Sequence, residues 1–100
     1  MEMEHLSNEL KDIIKNYIIF KPITKEELQN AVDTWCEDKE KAINQYGHIS
    51  NWNTSLITDM SYLFYDKSYF NDNINNWNVS NVTDMTNMFE YAFIFNQPLN

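Results

Sequence analysis

Arginine is absent from this chain of 100 residues, and cysteine and glycine each occur once. Without Arg there is no guanidinium fork for bidentate contacts to phosphate or guanine. Seven Lys face 15 acids, for a formal charge of −8. A nucleic-acid surface needs clustered cations that release counterions, so nucleic acid is excluded as a partner. A lone Cys36 forms no intrachain disulfide, which suits a reducing compartment. A lone Gly47 rules out a glycine-rich phosphate cradle. The most apolar window, Tyr17-Ile18-Ile19-Phe20, is too short to span a bilayer, and the acidic start Met1-Glu2-Met3-Glu4 is unlike the basic start of a secretory signal. These absences favour an intracellular protein over a secreted one, with no membrane partner. His5 and His48 stand apart from each other and from Cys36, so a zinc ligand set is lacking. With no Ser-His-Asp spacing either, we expect no catalytic residue, no cofactor and no metal.

What is present divides the chain near Gly47-His48. Residues 1–48 carry ten acids and six Lys, whereas residues 49–100 carry five acids, one Lys and 11 of the 15 Asn. The first part reads as charged-surface helix and the second as Asn-rich turns and ladders. Within residues 1–20, the spacing of Leu6, Leu10, Ile13, Ile14 and Tyr17 predicts a helix over about Ser7–Lys15, followed by an extended segment at residues 17–20. Residues 21–48 form the next segment. Thr24 and Glu27 have the spacing of a reciprocal capping box, and Ile23 and Leu28 that of a hydrophobic staple. Leu28, Ala31, Val32, Trp35, Ala42, Ile43 and Tyr46 then share one face, predicting a single helix from about Lys25 to Gln45 with Gly47 just past its end. Lys39 interrupts the apolar face, where its stem can still cover apolar surface. Such a helix needs a surface to cover.

That surface is a repeat. Residues 49–73 and 74–98 align without gaps and agree at 11 of 25 positions, with Trp52/Trp77, Asp59/Asp84, Met60/Met85, Phe64/Phe89 and Asn71/Asn96 among them. Leu99-Asn100 begins a third copy. A period of this size marks stacked supersecondary units. Thr-Asp before Met60-Ser61-Tyr62-Leu63-Phe64, and again before Met85-Thr86-Asn87-Met88-Phe89, reads as the start of a short helix in each unit. Brief extended segments at residues 70–77 and 95–99 would pair in parallel with their neighbours.

The units resemble the BspA-like leucine-rich-repeat family of surface proteins, also known as a mycoplasma-type repeat of unknown function. The resemblance rests on Trp77-Asn78-Val79-Ser80-Asn81-Val82-Thr83-Asp84-Met85 and Phe95-Asn96-Gln97-Pro98-Leu99, with a lead-in through Phe20-Lys21-Pro22, Trp35-Cys36 and Tyr46-Gly47-His48-Ile49. The first unit departs at Lys67 and Asp72-Asn73, where the second has Ala92 and Gln97-Pro98. The resemblance implies an α/β leucine-rich-repeat-like solenoid with short parallel strands and short helices, capped at its N-terminal end by helix. It implies binding rather than catalysis, and relatives on cell surfaces, in protists and in large DNA viruses. Lacking an export signal, this chain fits the viral or protist-like, intracellular kind.

Each repeated residue has a structural role to weigh against a functional one. Trp52 and Trp77 could form a ligand-stacking platform, but stacked packing rungs are what a repeat produces by itself. Asp59 and Asp84 could hold a cation, but capping two successive helix starts is ordinary chemistry for Thr-Asp. Asn71 and Asn96 could recognise a ligand, but an Asn ladder satisfying turn backbone is the simpler use. Met60, Met85 and Met88 fall at core spacing, and Cys36 beside Trp35 reads as an inert small hydrophobe. The functional expectation is therefore a protein-interaction module. Its rival is a self-assembling, virion- or surface-associated piece of a longer array. The expected contact edge is Phe93, Phe95, Asn96 and Leu99, with another protein or a second copy as partner.

Overall fold

In the computed structural model, which describes Ser7 and residues 18–99, the α-helices are confined to the lead-in. Two α-helices, α1 (Lys25–Glu37) and α2 (Lys39–Tyr46), are followed by a single 3₁₀ turn at Ile49–Asn51. The helix expected over Ser7–Lys15 lies outside the described residues, Ser7 apart.

The single helix expected from Lys25 to Gln45 is two. Asp38, extended at φ −151°, ends α1, and its carboxylate accepts from the Lys41 N–H at 3.1 Å to begin α2. An Asp that can satisfy an orphan N–H competes with the helical ladder, and here it prevails over the continuing apolar face. The cap of α1 also differs in detail. The Glu27 N–H donates to Thr24 Oγ1, but the Glu27 carboxylate reaches back to the Ile23 N–H instead of that of Thr24. Ile23 itself is exposed, so its side chain is not the buried staple partner of Leu28. Gly47 closes α2 at φ 77° and ψ −179°, a region open in practice to glycine alone, while its N–H donates to the Ile43 carbonyl.

The expectation of an α/β leucine-rich-repeat-like solenoid is overturned. Among the described residues there is no β-strand and no sheet, and residues 58–64 and 83–89 are not helical. Among the described residues, the only pairing of strand type is an isolated parallel bridge between Asp59 and Asp84. Each unit is instead a run of tight turns, and the backbone hydrogen bonds give the reason. In the first unit alternate N–H groups leave the unit: Met60, Tyr62, Phe64 and Asp66 donate to the carbonyls of Asp84, Thr86, Met88 and Glu90 at 2.8–2.9 Å. The intervening Leu63, Tyr65 and Lys67 donate three residues back along their own unit, to Met60, Tyr62 and Phe64. Half the donors are thus unavailable to an i→i−4 ladder, and the other half close turns that interrupt any strand. Left-handed residues enforce this path at Tyr62 and Asp66, and again at Asn87 and Tyr91, with φ of 52–62°.

The two units nevertheless sit in register across the 25-residue offset. Trp52 stacks on Trp77 at 6.2 Å, Phe64 on Phe89 at 5.3 Å and Phe70 on Phe95 at 5.5 Å between ring centroids. Beneath them α1 delivers Leu28, Ala31, Val32 and Trp35 into one continuous core with Ile49, Ile57, Met60, Leu63 and Phe64. The Asn-rich composition serves the turns. Asn53, Asn73 and Asn78 each accept from the N–H two residues on, as Asp59 and Asp84 do, so local side-chain acceptors replace ladder carbonyls.

Candidate functional site

Stacking of this kind leaves two different ends. At the α1 end, the outward carbonyls of Ser61 and Leu63 are the 25-residue counterparts of those of Thr86 and Met88, which accept from the first unit. They are satisfied by helix side chains: Lys25 Nζ donates to the Ser61 carbonyl and Oγ at 2.5 and 2.8 Å, and Gln29 Nε2 donates to the Leu63 carbonyl at 3.0 Å. Lys25 and Gln29, four residues apart on one helix face, thus do for this end what a preceding unit's N–H groups would do. Further along, α1 adds Trp35 Nε1 to Asp72 at 2.9 Å and Asp33 to Lys67 at 2.9 Å, and Lys39 at the start of α2 reaches Asp72 at 3.1 Å.

The opposite end has no such cover among the described residues. The N–H groups of Met85, Asn87, Phe89 and Tyr91 occupy the places of Met60, Tyr62, Phe64 and Asp66, and none meets an acceptor there. Beside this row runs an apolar groove of about 150 Å³, lined by Ile74, Asn75, Trp77, Val79, Met85, Met88, Phe89 and Leu99. The Oδ1 atom of Asn75 is buried in its wall with no hydrogen-bond donor. Equivalent residues show the contrast in cover: Met60 is fully buried, whereas Met85 is 47% exposed. Phe93, 75% exposed, and Leu99, 55% exposed, extend the apolar surface.

Of the residues singled out from the sequence, Trp52, Met60 and Phe64 lie in the core, Trp77 forms both core and groove wall, and Met85 and Phe89 line the groove. Both indole N–H groups are occupied, Trp52 on the Gly47 carbonyl and Trp77 on that of Ile49. Asn71 Oδ1 accepts from the Asn96 N–H at 2.9 Å, a contact between units. The Asn96 side chain holds the corresponding place on the open face, with Phe95 half-buried beneath it.

Asp59 and Asp84 do not cap helices, since no helix follows them. Each closes an Asx turn, and hydrogen bonds from Ser61 and Thr86 hold the respective carboxyls below the ordinary value of 3.8. Lys25 approaches Asp59 at 3.5 Å and adds to the effect there. Sequence reasoning missed the open N–H row, Lys25 and Gln29. The donors are backbone groups, invisible in side-chain identity, and the two helix residues look like ordinary polar surface until the carbonyls opposite are known.

A second hollow, about 350 Å³, lies where the end of α1 meets residues 66–72, lined by Trp35, Cys36, Lys39, Lys67, Tyr69, Phe70 and Asp72 among others. Of its charged groups, Lys39 pairs with Asp72 across the hollow and Lys67 pairs with Asp33 beside it. Desolvation pushes the Cys36 thiol up to about 11 against the opposing pull of Lys67, so this exposed cysteine is a poor nucleophile. Among the described residues no three His, Cys, Asp or Glu side chains gather where they could hold a metal ion, and no helix is long and apolar enough to cross a membrane.

Among known proteins, the family described as "Mycoplasma protein of unknown function, DUF285" matches residues 19–100. No curated protein and no solved structure matches the chain.

Proposed function

The chain belongs to the DUF285 family, and from that premise we propose that it is a non-catalytic module for binding other proteins. The observation that carries this reading is the face of the second unit, where unpaired backbone donors border an exposed apolar groove. Apolar surface is costly to leave in water, and the peptide N–H groups beside it must keep an acceptor when it is covered, so a polypeptide that supplies both kinds of contact suits it best. The motifs Trp77–Met85 and Phe95–Leu99 support placing the chain with the BspA-like repeat proteins, for which binding is the expected role.

Affinity capture with the full chain and with Met85→Asp tests the reading, because Met85 is exposed and its replacement leaves the core intact. Proteins retained by the wild type and lost with the variant are expected. Recovery of the same proteins with both, or of none, overturns the proposal. Self-assembly is a second reading, in which apolar contact between two exposed grooves alone would hold the copies. Sedimentation then shows a dimer that Met85→Asp abolishes, whereas a monomer at all concentrations rejects it.

A further inference from the structure

We propose that the open face takes a polypeptide segment of this chain's own repeat type, lying parallel to residues 77–91 and supplying backbone carbonyls at alternate positions. The inference rests on the protein-binding reading and specifies the partner's chemistry. Three observations carry it.

The first is polarity. Along residues 59–66 and 84–91 the backbone hydrogen bonds between units all run one way, from the N–H groups of the first unit to the carbonyls of the second, whereas just before this stretch the Thr83 N–H donates back to the Thr58 carbonyl. The outward edge of the second unit over this stretch therefore offers only donors: Met85, Asn87, Phe89 and Tyr91. A matching partner must bring acceptors at every second residue. Any segment that repeats the turn path does so, through the counterparts of the Asp84, Thr86, Met88 and Glu90 carbonyls.

The second is the indole rung. Trp52 donates to the Gly47 carbonyl, and Trp77 stacks on Trp52 and donates to the Ile49 carbonyl, which lies 28 residues earlier. The corresponding acceptor for an incoming indole is the Ile74 carbonyl, on the groove wall, with the outer face of Trp77 as its stacking surface. A segment bearing Trp at the repeat position meets both requirements together.

The third is that the far end is closed. Lys25 and Gln29 occupy the two central carbonyls of the first unit's acceptor edge, those of Ser61 and Leu63, so a second intact copy docking head to tail meets an interrupted acceptor row with α1 side chains across it. Two copies meeting open face to open face would set donor rows against each other, leaving apolar contact alone to hold them. The occupant is thus an uncapped repeat segment, not a second folded copy.

The test adds a synthetic peptide with the sequence of residues 74–99 to the full chain and follows amide hydrogen exchange by NMR. Exchange at Met85, Asn87, Phe89 and Tyr91 is expected to slow roughly tenfold or more, with no change at Ser61 or Leu63. Peptide with Trp replaced by Leu at its Trp77 position is expected to bind about tenfold more weakly. Met85→Asp in the full chain should abolish the protection, and Tyr69→Asp, at the other hollow, should leave it.

Absent protection, protection at the α1 end, or indifference to Met85→Asp overturns the inference. Should the free peptide associate with itself, residues 76–99 fused after Asn100 serve, since this places their Trp in the 25-residue register with Trp77. Ordered chemical shifts with the four amides protected support the proposal, and a disordered extension rejects it. If the repeat segment fails while a different protein is still captured through a Met85-dependent contact, the inference falls and the protein-binding function stands.

Discussion

Met60 and Met85 are the same letter at equivalent positions, yet one is fully buried between α1 and the second unit and the other is 47% exposed. Replacing a core methionine by alanine removes both transfer energy and packing, so Met60→Ala should cost ~2–5 kcal/mol in urea unfolding. Met85→Ala should cost ~0.5 kcal/mol or less, as for other surface changes. Equal losses would mean that the second unit is covered in the free protein. Asp59 and Asp84 make a second residue-level case. Their folded pKa values lie below the ordinary 3.8, so the unfolded chain binds protons more readily than the native one. Their contribution is fully present above about pH 4, is lost as pH falls through the depressed folded values, and makes acid destabilising. Because Asn retains the Asx-turn acceptor without the charge, Asp59→Asn with Asp84→Asn should flatten the acid limb of a plot of stability against pH. An unchanged limb would place the acid sensitivity elsewhere.

The ends of α1 and α2 depend on a few residues whose roles differ from their sequence signals. Asp38 acts in two directions, as C-cap of α1 and N-cap of α2. Asp38→Ala is expected to cost ~1 kcal/mol through the lost cap. Gly47→Ala is expected to cost ~1–3 kcal/mol from backbone conformation. An added Cβ at Gly47 meets nothing within 4 Å beyond its chain neighbours, so the loss comes from the local backbone conformation and not from packing against the rest of the fold. Thermal melts of the two variants, with helix content followed by circular dichroism, decide the point. A Gly47→Ala protein as stable as the wild type would show that this φ is not required.

At the scale of the whole molecule, the backbone hydrogen bonds of residues 59–66 to residues 84–91 run one way, so Lys25 and Gln29 cover the Ser61 and Leu63 carbonyls at one end while the donors of the second unit stay open at the other. Native-state exchange of the free chain should read this asymmetry directly. Amides of Met60, Tyr62, Phe64 and Asp66 should exchange slowly, and those of Met85, Asn87, Phe89 and Tyr91 at close to unprotected rates. Comparable protection of both sets would show that something already covers the open face.

How much of this was legible follows from where the information lies. The 25-residue register, the aromatic rungs, the Thr24 cap, the apolar face of the lead-in helix and the Gly47 stop are written in side-chain identity, because each depends on size, polarity or φ at a named position. The path of the backbone within a unit is not. Met60-Ser61-Tyr62-Leu63-Phe64 has the apolar spacing of a helical turn and also that of successive tight turns, and the choice rests on where the N–H groups find acceptors. Those acceptors belong to residues 25 positions away, so only the stacked structure could decide against helix and strand. The open face was decided in the same way. Sequence alone determined that the units repeat and which rings stack, whereas tertiary packing determined which end of the stack keeps its donors unpaired.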